Sequence, residues 1–343
     1  MDLLPSPEQS EIIDVVGGFL ADRFPTSRLR ERAGERASFD AATWTECGEL
    51  GWFALGLSEE LGGVGYGMVE EVLVFRELGR RLAPGPFIAT ALGARLVAIS
   101  GQAGLATTIA SGAAPVALAT PRNGEPTIGD TISGSFHVID GPGASHYLVL
   151  TDTDAALVEA GAAGDIEPVA SIDEGSRLAR LTMDRAPVVV RSSGDDAAEL
   201  WRRGTLLVSA MLTGVAEATR DLAAEYAKQR VQFGRPIGVN QAIKHACADM
   251  VLRAEAAAAQ LVFAALSVDE LRDDRSFQVA SARVVATDAA IANASAGVQV
   301  HGGMGYTYEH DSNLYVKRAR ILDRMLGGKR KHLADVLQAA VEQ

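Results

Sequence analysis

A helical stripe in the last third of the chain constrains the fold most. Apolar residues recur there at spacings of three and four, as on one face of an α-helix: Leu206, Leu207, Ala210, Met211, Gly214, Val215, Ala218 and Leu222. A second stripe runs over 243–254, and further helices are predicted over 277–300, 314–325 and 331–341. Long alanine-rich helices joined by short loops favour an antiparallel bundle.

The remainder of the chain divides into two stretches of different character. Helical signals fill residues 1–112, with a capped start at residues 6–8 and helices over 43–50, 69–82 and 88–99. Between residues 113 and 194, Gly, Pro, Asn and Asp separate short β-prone runs, at 116–119, 134–139, 147–150, 178–183 and 188–190. The sequence therefore predicts a multidomain α+β protein, with an α-helical domain over 1–112, a small β-domain over 113–194 and a helical bundle over 195–343.

Charge and composition exclude several classes of protein. The 343 residues include 32 basic and 44 acidic ones, a formal charge of −12 that leaves no basic excess for binding nucleic acid. Cys47 and Cys247 lie far apart and the histidines are scattered, so we expect no metal site. A basic-then-apolar leader and a run of 18 apolar residues are both missing, which predicts a cytoplasmic protein without a membrane span.

Two motifs are candidate binding sites. In residues 229–238, Gly234 and Pro236 are helix stop signals and Arg230 complements the helix dipole, which is a structural interpretation. Alternatively, Arg230 and Phe233 offer a guanidinium and a flat ring, suited to a pyrophosphate and an adenine. In residues 299–306, three clustered glycines allow either a close ligand approach or a tight turn. Spacing alone favours the structural interpretation of the first motif.

Taken together and in order, these motifs resemble those of the acyl-CoA dehydrogenase family. Residues 50–52 and 59–65 are similar to its N-terminal signature. Residues 230–237 with Gln241 resemble its flavin-contacting helix end, and residues 299–310 resemble its late glycine motif. The resemblance covers nearly the whole chain.

The resemblance implies an N-terminal α-domain, a middle β-barrel or sandwich and a C-terminal four-helix bundle that bind FAD and form tetramers. It implies α,β-dehydrogenation of an acyl-CoA in lipid metabolism such as fatty acid β-oxidation: a carboxylate takes the α-proton, and the hydride passes to FAD and its electrons to an electron-transfer flavoprotein. In the family, a cluster on each subunit reaches the FAD of a neighbour. The corresponding residues are Arg230, Gln232, Phe233, Gln241, Gln299, Gly302 and Gly303.

The two positions that carry the catalytic glutamate in this family hold no carboxylate here. Aligning Gly302-Gly303 without a gap places Leu326 at one of them, and the other falls near Gly204 and Thr205 on the first bundle helix. A leucine cannot accept a proton, so the catalytic residue is not assigned. Asp323, one turn earlier, is the candidate for a relocated base, although a helical position also suits it to an ion pair with Arg320.

The β-domain also departs from the family. The stretch that should carry Thr-Glu-Pro is residues 119–125, and the aromatic run against the flavin ring is matched to Val138, Ile139 and Asp140. Val138 offers no aromatic face. Asp140 is expected to place a negative charge beside a flavin that becomes anionic on reduction, which opposes the reaction.

Groups that would serve a neighbour's cofactor are kept, whereas groups of the chain's own active site are missing. Some bacterial members of the family that act on steroid side-chain CoA thioesters form α2β2 heterotetramers with one degenerate subunit, and this chain resembles that subunit. The leading hypothesis is a partner subunit that completes FAD binding in a catalytic chain. The alternatives are a homotetrameric dehydrogenase that uses Asp323, a flavin-free assembly protein and a flavin monooxygenase on the same fold.

Overall fold

The computed structural model describes residues 3–122 and 124–341. The first helices are α1 (Pro7–Arg23), α2 (Ser27–Glu31), α3 (Ala41–Glu49), α4 (Met68–Arg80), α5 (Phe87–Ile99) and α6 (Ala103–Ala110). The strands are β1 (Val116–Pro121), β2 (Thr127–Ile128), β3 (Thr131–Ile139), β4 (His146–Leu150), β5 (Asp154–Glu159), β6 (Ile166–Val169) and β7 (Leu178–Ser193), with α7 (Ala160–Ala163) after β5. The last part comprises α8 (Asp195–Gln229), the hairpin β8 (Val231–Gln232) and β9 (Arg235–Pro236), α9 (Gln241–Asp269), α10 (Arg275–His301), α11 (Gly303–Tyr306), α12 (Ser312–Arg324) and α13 (Gly328–Val341).

The first helix begins where its sequence predicts. The Ser6 hydroxyl accepts from the Gln9 amide at 3.2 Å, and the Gln9 side chain accepts from the Ser6 amide at 2.9 Å. Pro7 occupies the first helical position, where its missing N–H removes no hydrogen bond. This capping box starts α1, and the helices predicted over 43–50, 69–82 and 88–99 correspond to α3, α4 and α5.

Strands β1 to β7 form one sheet that closes on itself. Its order is β2-β3-β1-β4-β5-β7-β6, and β3 also pairs with β7, so that β1, β3, β4, β5 and β7 form a small barrel. The barrel is filled by alternating residues of its strands, among them Phe136, Val138, Val149, Val158 and Leu181. This arrangement confirms the barrel form of the middle β-region.

Two strand predictions need correction. The runs 178–183 and 188–190 are one strand, β7, which continues through Pro187 at a position paired with Thr131 near the end of β3. Strands β2, β5 and β6 were not predicted. Residues 155–158 of β5 are all buried, so this strand has no polar alternation to reveal it, and its two alanines are weak strand formers.

The C-terminal helices form a bundle around α10. This helix packs against α9, α12 and α13. Small side chains let α8, α9 and α10 approach one another at Ala216, Ala254, Ala257 and Ala289. At the same level, the buried Asn293 amide donates to the carbonyls of Ala216 at 3.1 Å and Met250 at 2.8 Å. Hydrogen bonding thus joins the three helices where the side chains are too small to interlock.

Helices α4 and α8 cross with no side chain between their backbones. A Cβ atom on Gly79 would overlap the backbone of Met211, and one on Gly214 would overlap the carbonyl oxygen of Arg76. Neither neighbouring atom belongs to a flexible side chain that could move aside. The crossing therefore requires glycine at both positions.

The described residues divide into two compact units that do not follow chain order. The helical unit comprises the described residues up to Thr26, Val72–Ala83 and those from Thr205 onward. The barrel unit comprises Ser27–Glu71 and Pro84–Gly204. The expected boundaries near residues 112 and 194 mark changes of secondary structure, and as domain limits they stay a prediction.

One described helix is long and apolar enough to cross a membrane. It is Gln241–Asp269, with a mean hydropathy of 1.5 over an 18-residue window of which 39% is buried. Core helices of proteins without a membrane span pass the same test, so this property alone does not indicate a span.

Candidate functional site

The first predicted motif forms the end of α8 and a short β-hairpin. The Arg230 amide donates to the Tyr226 carbonyl at 2.8 Å, and the Arg230 carbonyl accepts from the Ile237 amide at 2.8 Å. Gln232 pairs with Arg235 across the hairpin. The stop signals at Gly234 and Pro236 do end the helix, as expected, and they leave the side chains of Arg230 and Gln232 exposed.

Phe233 lies at the tip of this hairpin, where both its backbone conformation and the exposure of its side chain are unfavourable. Its φ is 51° and that of Gly234 is 79°, so both central residues of the turn have positive φ. Asn-Gly suits such a turn best, and a phenylalanine there costs about 1 kcal/mol of backbone strain. Its side chain is also 99% exposed. The described part of the chain offsets neither cost.

The second motif lies beside the first. Tyr226, in the last turn of α8, stacks on His301 at the end of α10, with ring centroids 4.4 Å apart. Gln299, Gly302 and Gly303 flank this buried histidine and are exposed. The stacking thus brings the hairpin and the glycine motif together at one end of the bundle.

Helix α9 begins at the same end. Its first residue, Gln241, is exposed, and the preceding Asn240 makes no capping hydrogen bond with its side chain. The first-turn amides, at the positive end of the helix dipole, therefore lack a side-chain cap. A pocket of about 400 Å³ lies between the end of α8 and the start of α9, with an apolar lining that includes Ile243 and with Lys228 and Lys244 among the lining residues.

This end of the bundle fits the adenosine diphosphate half of FAD. A guanidinium and an uncapped helix N-terminus are groups that bind pyrophosphate, and an exposed aromatic ring and an apolar pocket each suit a heterocycle. Arg230, Gln232, Phe233, Gln241, Gln299, Gly302 and Gly303 all lie at this end, on the elements described above. These seven residues include no carboxylate or other proton acceptor of a dehydrogenase, so the cluster can bind and orient a ligand.

The turn at residues 326–328, where the family carries the catalytic glutamate, is closed by contacts within the chain. Leu326 is 2% exposed and has φ of 49°, and Gly327 and Gly328 follow with φ of 83° and 63°. The Leu326 carbonyl accepts from His332 Nε2 at 2.8 Å. Burial lowers the pKa of His332 to about 4, so this donor is neutral near pH 7.

A buried arginine holds this turn from α10. Arg283 is fully buried, and its Nη2 donates to the carbonyls of Leu322 at 2.8 Å and Met325 at 2.9 Å. Burial lowers the pKa of Arg283 to about 10, so it stays cationic near neutral pH and faces the negative end of the α12 dipole. Arg283 was not predicted as a site residue, although a charged residue among the apolar positions 279, 282 and 286 of a predicted helix is a usable signal.

Asp323, the candidate for a relocated base, has a structural use. Its Oδ1 accepts from the Lys329 amide at 3.1 Å, at the beginning of α13. Its carbonyl lies 3.3 Å from Nη2 of Arg283. A carboxylate oriented by a helix amide is not free to approach a substrate, and a catalytic role of Asp323 stays a hypothesis.

The other position of the family glutamate is also occupied by structural residues. Gly204 is buried in the barrel unit, and beside it Arg203 Nη2 lies 2.9 Å from Glu71 Oε2. Glu199 is the second acidic neighbour of Arg203, at 3.8 Å. Glu71, a buried carboxylate whose oxygen is engaged by the Arg203 guanidinium, was not predicted from the sequence. Thr205 is buried as well.

The strand matched to the flavin-facing run needs a correction by one residue. Val138 lies inside the barrel core and cannot contact a ligand outside the barrel. The outward-facing neighbour is His137, which stands opposite Thr120 and Arg180 on adjacent strands. Burial, followed by the charges of Arg122 and Arg180, lowers the pKa of His137. Strand alternation was the signal that identifies this residue.

Asp140 is likewise part of the barrel structure. Its Oδ1 accepts from the Arg177 amide at 2.8 Å, and its own amide donates to the Arg177 carbonyl at 2.7 Å. The side chain is buried, so the expected repulsion of a flavin by this carboxylate finds no support. Within the stretch 119–125, Asn123 lies outside the described residues.

Comparisons with known proteins match both ends of the chain. The acyl-CoA dehydrogenase N-terminal domain matches residues 6–107, and the acyl-CoA dehydrogenase C-terminal domain matches residues 198–341. The barrel strands lie between the two matched ranges.

Individual relatives agree with these matches. The acyl-CoA dehydrogenase IpdE2 of Mycobacterium tuberculosis is 32% identical over 336 residues, which cover 96% of each chain. The acyl-CoA dehydrogenase FadE34 of the same organism is 36% identical over 84% of this chain and 40% of its own length. A chain of the M. tuberculosis ChsE4-ChsE5 complex is 29% identical, with a TM-score of 0.89 over 100% of both chains. The chain belongs to the acyl-CoA dehydrogenase family of oxidoreductases.

Proposed function

We propose that this chain is the partner subunit of a two-chain acyl-CoA dehydrogenase. It holds the adenosine diphosphate half of an FAD whose flavin ring lies in a catalytic chain. The observation that carries the proposal is Phe233, a strained and 99% exposed aromatic side chain beside Arg230. A contact from outside the chain would bury this ring and offset the strain of its backbone.

The residues of this chain would bind and orient the cofactor. Arg230 would bind the pyrophosphate oxygens through its fork of donors, and Phe233 would lie against a flat heterocycle. Gly302 and Gly303, which have no side chains, would let the backbone approach the ligand closely. Bound FAD supplies the hydride acceptor for dehydrogenation of the acyl-CoA, and an electron-transfer flavoprotein would receive the electrons.

The closed turn at Leu326 supports a division of labour between two chains. A base must reach the α-proton of the thioester, and a buried leucine that is packed under its own backbone turn cannot. The catalytic glutamate would therefore come from the partner. The similarity to a chain of a complex named for two polypeptides, ChsE4 and ChsE5, supports an α2β2 assembly.

We propose a CoA thioester as the substrate, of the steroid side-chain class or of a fatty acid. The support for this class is the resemblance to degenerate subunits of steroid side-chain dehydrogenases, together with the acyl-CoA dehydrogenases among its relatives. The acyl group would be selected by the catalytic chain, which holds the reacting carbon atoms.

Purification of the chain alone and together with a homologue that carries the glutamate tests this function. We expect no FAD in the lone chain and about one FAD for each pair of chains. Arg230→Ala should weaken FAD binding by the pair at least about 10-fold, the size expected for a lost charge-assisted contact. Arg235→Ala, on the opposite strand of the same hairpin, is the matched control.

The alternatives give distinct results in the same experiment. A lone chain that holds stoichiometric FAD and reduces it with an acyl-CoA is a self-sufficient dehydrogenase, and the proposal is then wrong. If the pair is active and its affinity for FAD does not change with Arg230→Ala, this chain has a role in assembly alone. Product that forms only with oxygen indicates a monooxygenase.

A further inference from the structure

The outer face of β1, β3 and β7 carries a patch of basic side chains and hydroxyl groups. We call it the outer patch and define it by six residues: Thr120, Arg122, Ser135, His137, Arg180 and Thr182. In β3 and β7 its members alternate with residues that fill the barrel, such as Phe136 and Leu181. Thr120 and Ser135 are half-buried, and the other four are exposed. The patch therefore faces away from the core.

The strand register brings these residues into two adjacent rows. In the first row, His137 stands between Thr120 and Arg180. In the second row, Ser135 pairs with Thr182, and the Ser135 carbonyl accepts from the amide that directly follows β1, at 2.8 Å. Neighbouring strands lie about 4.8 Å apart, so a row of three residues spans about 10 Å. The six side chains thus share one small area of the sheet.

Two arginines act on the histidine in this area. Burial, followed by the charges of Arg122 and Arg180, lowers the pKa of His137, so the ring is neutral near pH 7. Charges at an exposed surface are screened beyond about 10 Å in physiological salt, which indicates that both guanidinium groups lie near this ring. The patch therefore concentrates positive charge, although the chain has a formal charge of −12.

Nearby carboxylates compensate this charge only in part. Glu167 of β6 stands opposite Arg180, with Oε1 3.4 Å from Nη1, but both side chains are exposed and such a pair contributes little. Neither Arg122 nor the nearby Glu125 forms an ion pair within residues 3–122 and 124–341. Asp184, four residues beyond Arg180 on β7, lies 4.0 Å from the guanidinium that follows it. The Arg122 charge thus has no carboxylate partner in the described chain.

The three hydroxyl groups of the patch are also free to donate. The hydroxyls of Thr120, Ser135 and Thr182 make no hydrogen bond to any residue that the structure describes. Hydroxyl groups donate to phosphate oxygens, and guanidinium groups bind them in pairs. A phosphate group offers several oxygens in different directions, whereas a carboxylate offers two in one plane. Donors spread over two rows of a sheet therefore favour phosphate over carboxylate.

We propose that the outer patch binds a phosphate group of a ligand, with its two arginines as charged donors and its three hydroxyls as neutral donors. The negative charge of the ligand favours the protonated form of His137, so this ring takes up a proton when the ligand binds. The patch lies in the barrel unit and contains none of the proposed FAD-binding residues. The proposal therefore does not rest on the function proposed above.

Nuclear magnetic resonance of the full chain with inorganic pyrophosphate tests the patch. The ring-proton resonance of His137, assigned with His137→Gln, reports on this site alone. Pyrophosphate should raise the pKa of His137 above its value in sodium chloride of the same ionic strength. In Arg180→Gln, the affinity measured from this resonance should fall at least about 10-fold, as expected for a lost charge-assisted contact. Arg191→Gln, at an exposed position of the same strand, is the matched control and should change the affinity less than about 2-fold.

Two results would overturn the patch. One is an equal pKa of His137 in pyrophosphate and in sodium chloride. The other is an unchanged affinity in both Arg180→Gln and Arg122→Gln. Because pyrophosphate can also bind at the proposed FAD site, Arg230→Ala is included. A His137 response that disappears in this variant belongs to the FAD site and contradicts the patch.

The same resonance identifies the source of the phosphate. CoA and FAD each carry a pyrophosphate, and CoA carries a further phosphate on its ribose. The compound that shifts the His137 resonance at a lower concentration than pyrophosphate does is the natural ligand, and if neither does so, the ligand is inorganic. A pair of chains that binds no FAD contradicts only the proposed function, whereas an unresponsive His137 contradicts only the patch.

Discussion

Two turns of the helical unit share a backbone conformation and differ in their surroundings. Phe233 has φ of 51° and Leu326 has φ of 49°, and a glycine in the same region of φ follows each of them. Phe233 is 99% exposed, whereas Leu326 is 2% exposed. Non-glycine residues rarely adopt this conformation, so both turns carry strain.

The difference shows where each turn finds its stabilisation. At Leu326, burial of the side chain contributes about 2 kcal/mol, which exceeds a strain of about 1 kcal/mol, and both His332 and Arg283 bond the same turn. At Phe233 the described chain contributes no comparable burial. The turn at Leu326 is thus stabilised within the chain, whereas the described residues leave the hairpin tip without comparable burial.

The largest expected effect comes from removing the internal support of the closed turn. Arg283→Ala removes the guanidinium donor of the carbonyls of Leu322 and Met325, which keep only a backbone amide each, and opens a cavity, so we expect a loss of about 4 kcal/mol of unfolding free energy. Urea denaturation of the lone chain measures it. Arg320→Ala, on the exposed side of α12, is the control and should cost less than about 0.5 kcal/mol. If Arg283→Ala lowers the unfolding free energy by less than about 1 kcal/mol, Arg283 does not stabilise the turn at Leu326 as described.

The same substitution at both turns tests the comparison directly. Asparagine tolerates positive φ, so Leu326→Asn relieves strain but buries an amide, and it should cost about 3 kcal/mol. Phe233→Asn creates the Asn-Gly pair that such hairpins prefer, and it should stabilise the lone chain by about 0.5–1 kcal/mol while weakening FAD binding by the pair. Both values come from denaturation curves. Effects of the same sign would show that the two turns are stabilised alike.

The smallest expected effect concerns Asp323. The amide oxygen of Asp323→Asn can still accept the Lys329 N–H, so the change in unfolding free energy should stay below about 1 kcal/mol and turnover by the pair should stay within about 2-fold. If Asp323 is a relocated base, turnover should fall about 100-fold or more while FAD is retained. Steady-state rates and the flavin absorbance of the same sample separate these outcomes.

Local pattern was enough to predict most elements of the fold. Helical period located α3, α4 and α5, and the cap at Ser6 located the start of α1. The sequence pattern did not reveal β5, because a strand that is buried on both faces shows no alternation of polar and apolar residues. It also misplaced the outward-facing residue of β3 by one position, since matching Val138 to an aromatic residue ignored which side of the strand faces the barrel.

The candidate site was predictable where its residues are contiguous in sequence. The hairpin residues follow one another, and their exposure follows from the stop signals at Gly234 and Pro236. The contacts of Arg283 and the cap formed by Asp323 join residues that are distant or lie on different helices. Such contacts depend on how helices pack, and helical period does not specify the packing. The stacking of Tyr226 on His301 was hidden for the same reason.

The glycine crossing of α4 and α8 has a consequence at a distance. From Gly214 to Arg230 the chain runs along α8, about 24 Å at 1.5 Å per residue. The helix is stiff. A methyl group that pushed the two backbones apart at residue 214 would therefore also displace the C-terminal end of α8. A substitution of Gly214 would therefore weaken the proposed binding of FAD, although Gly214 is not one of the proposed FAD-binding residues.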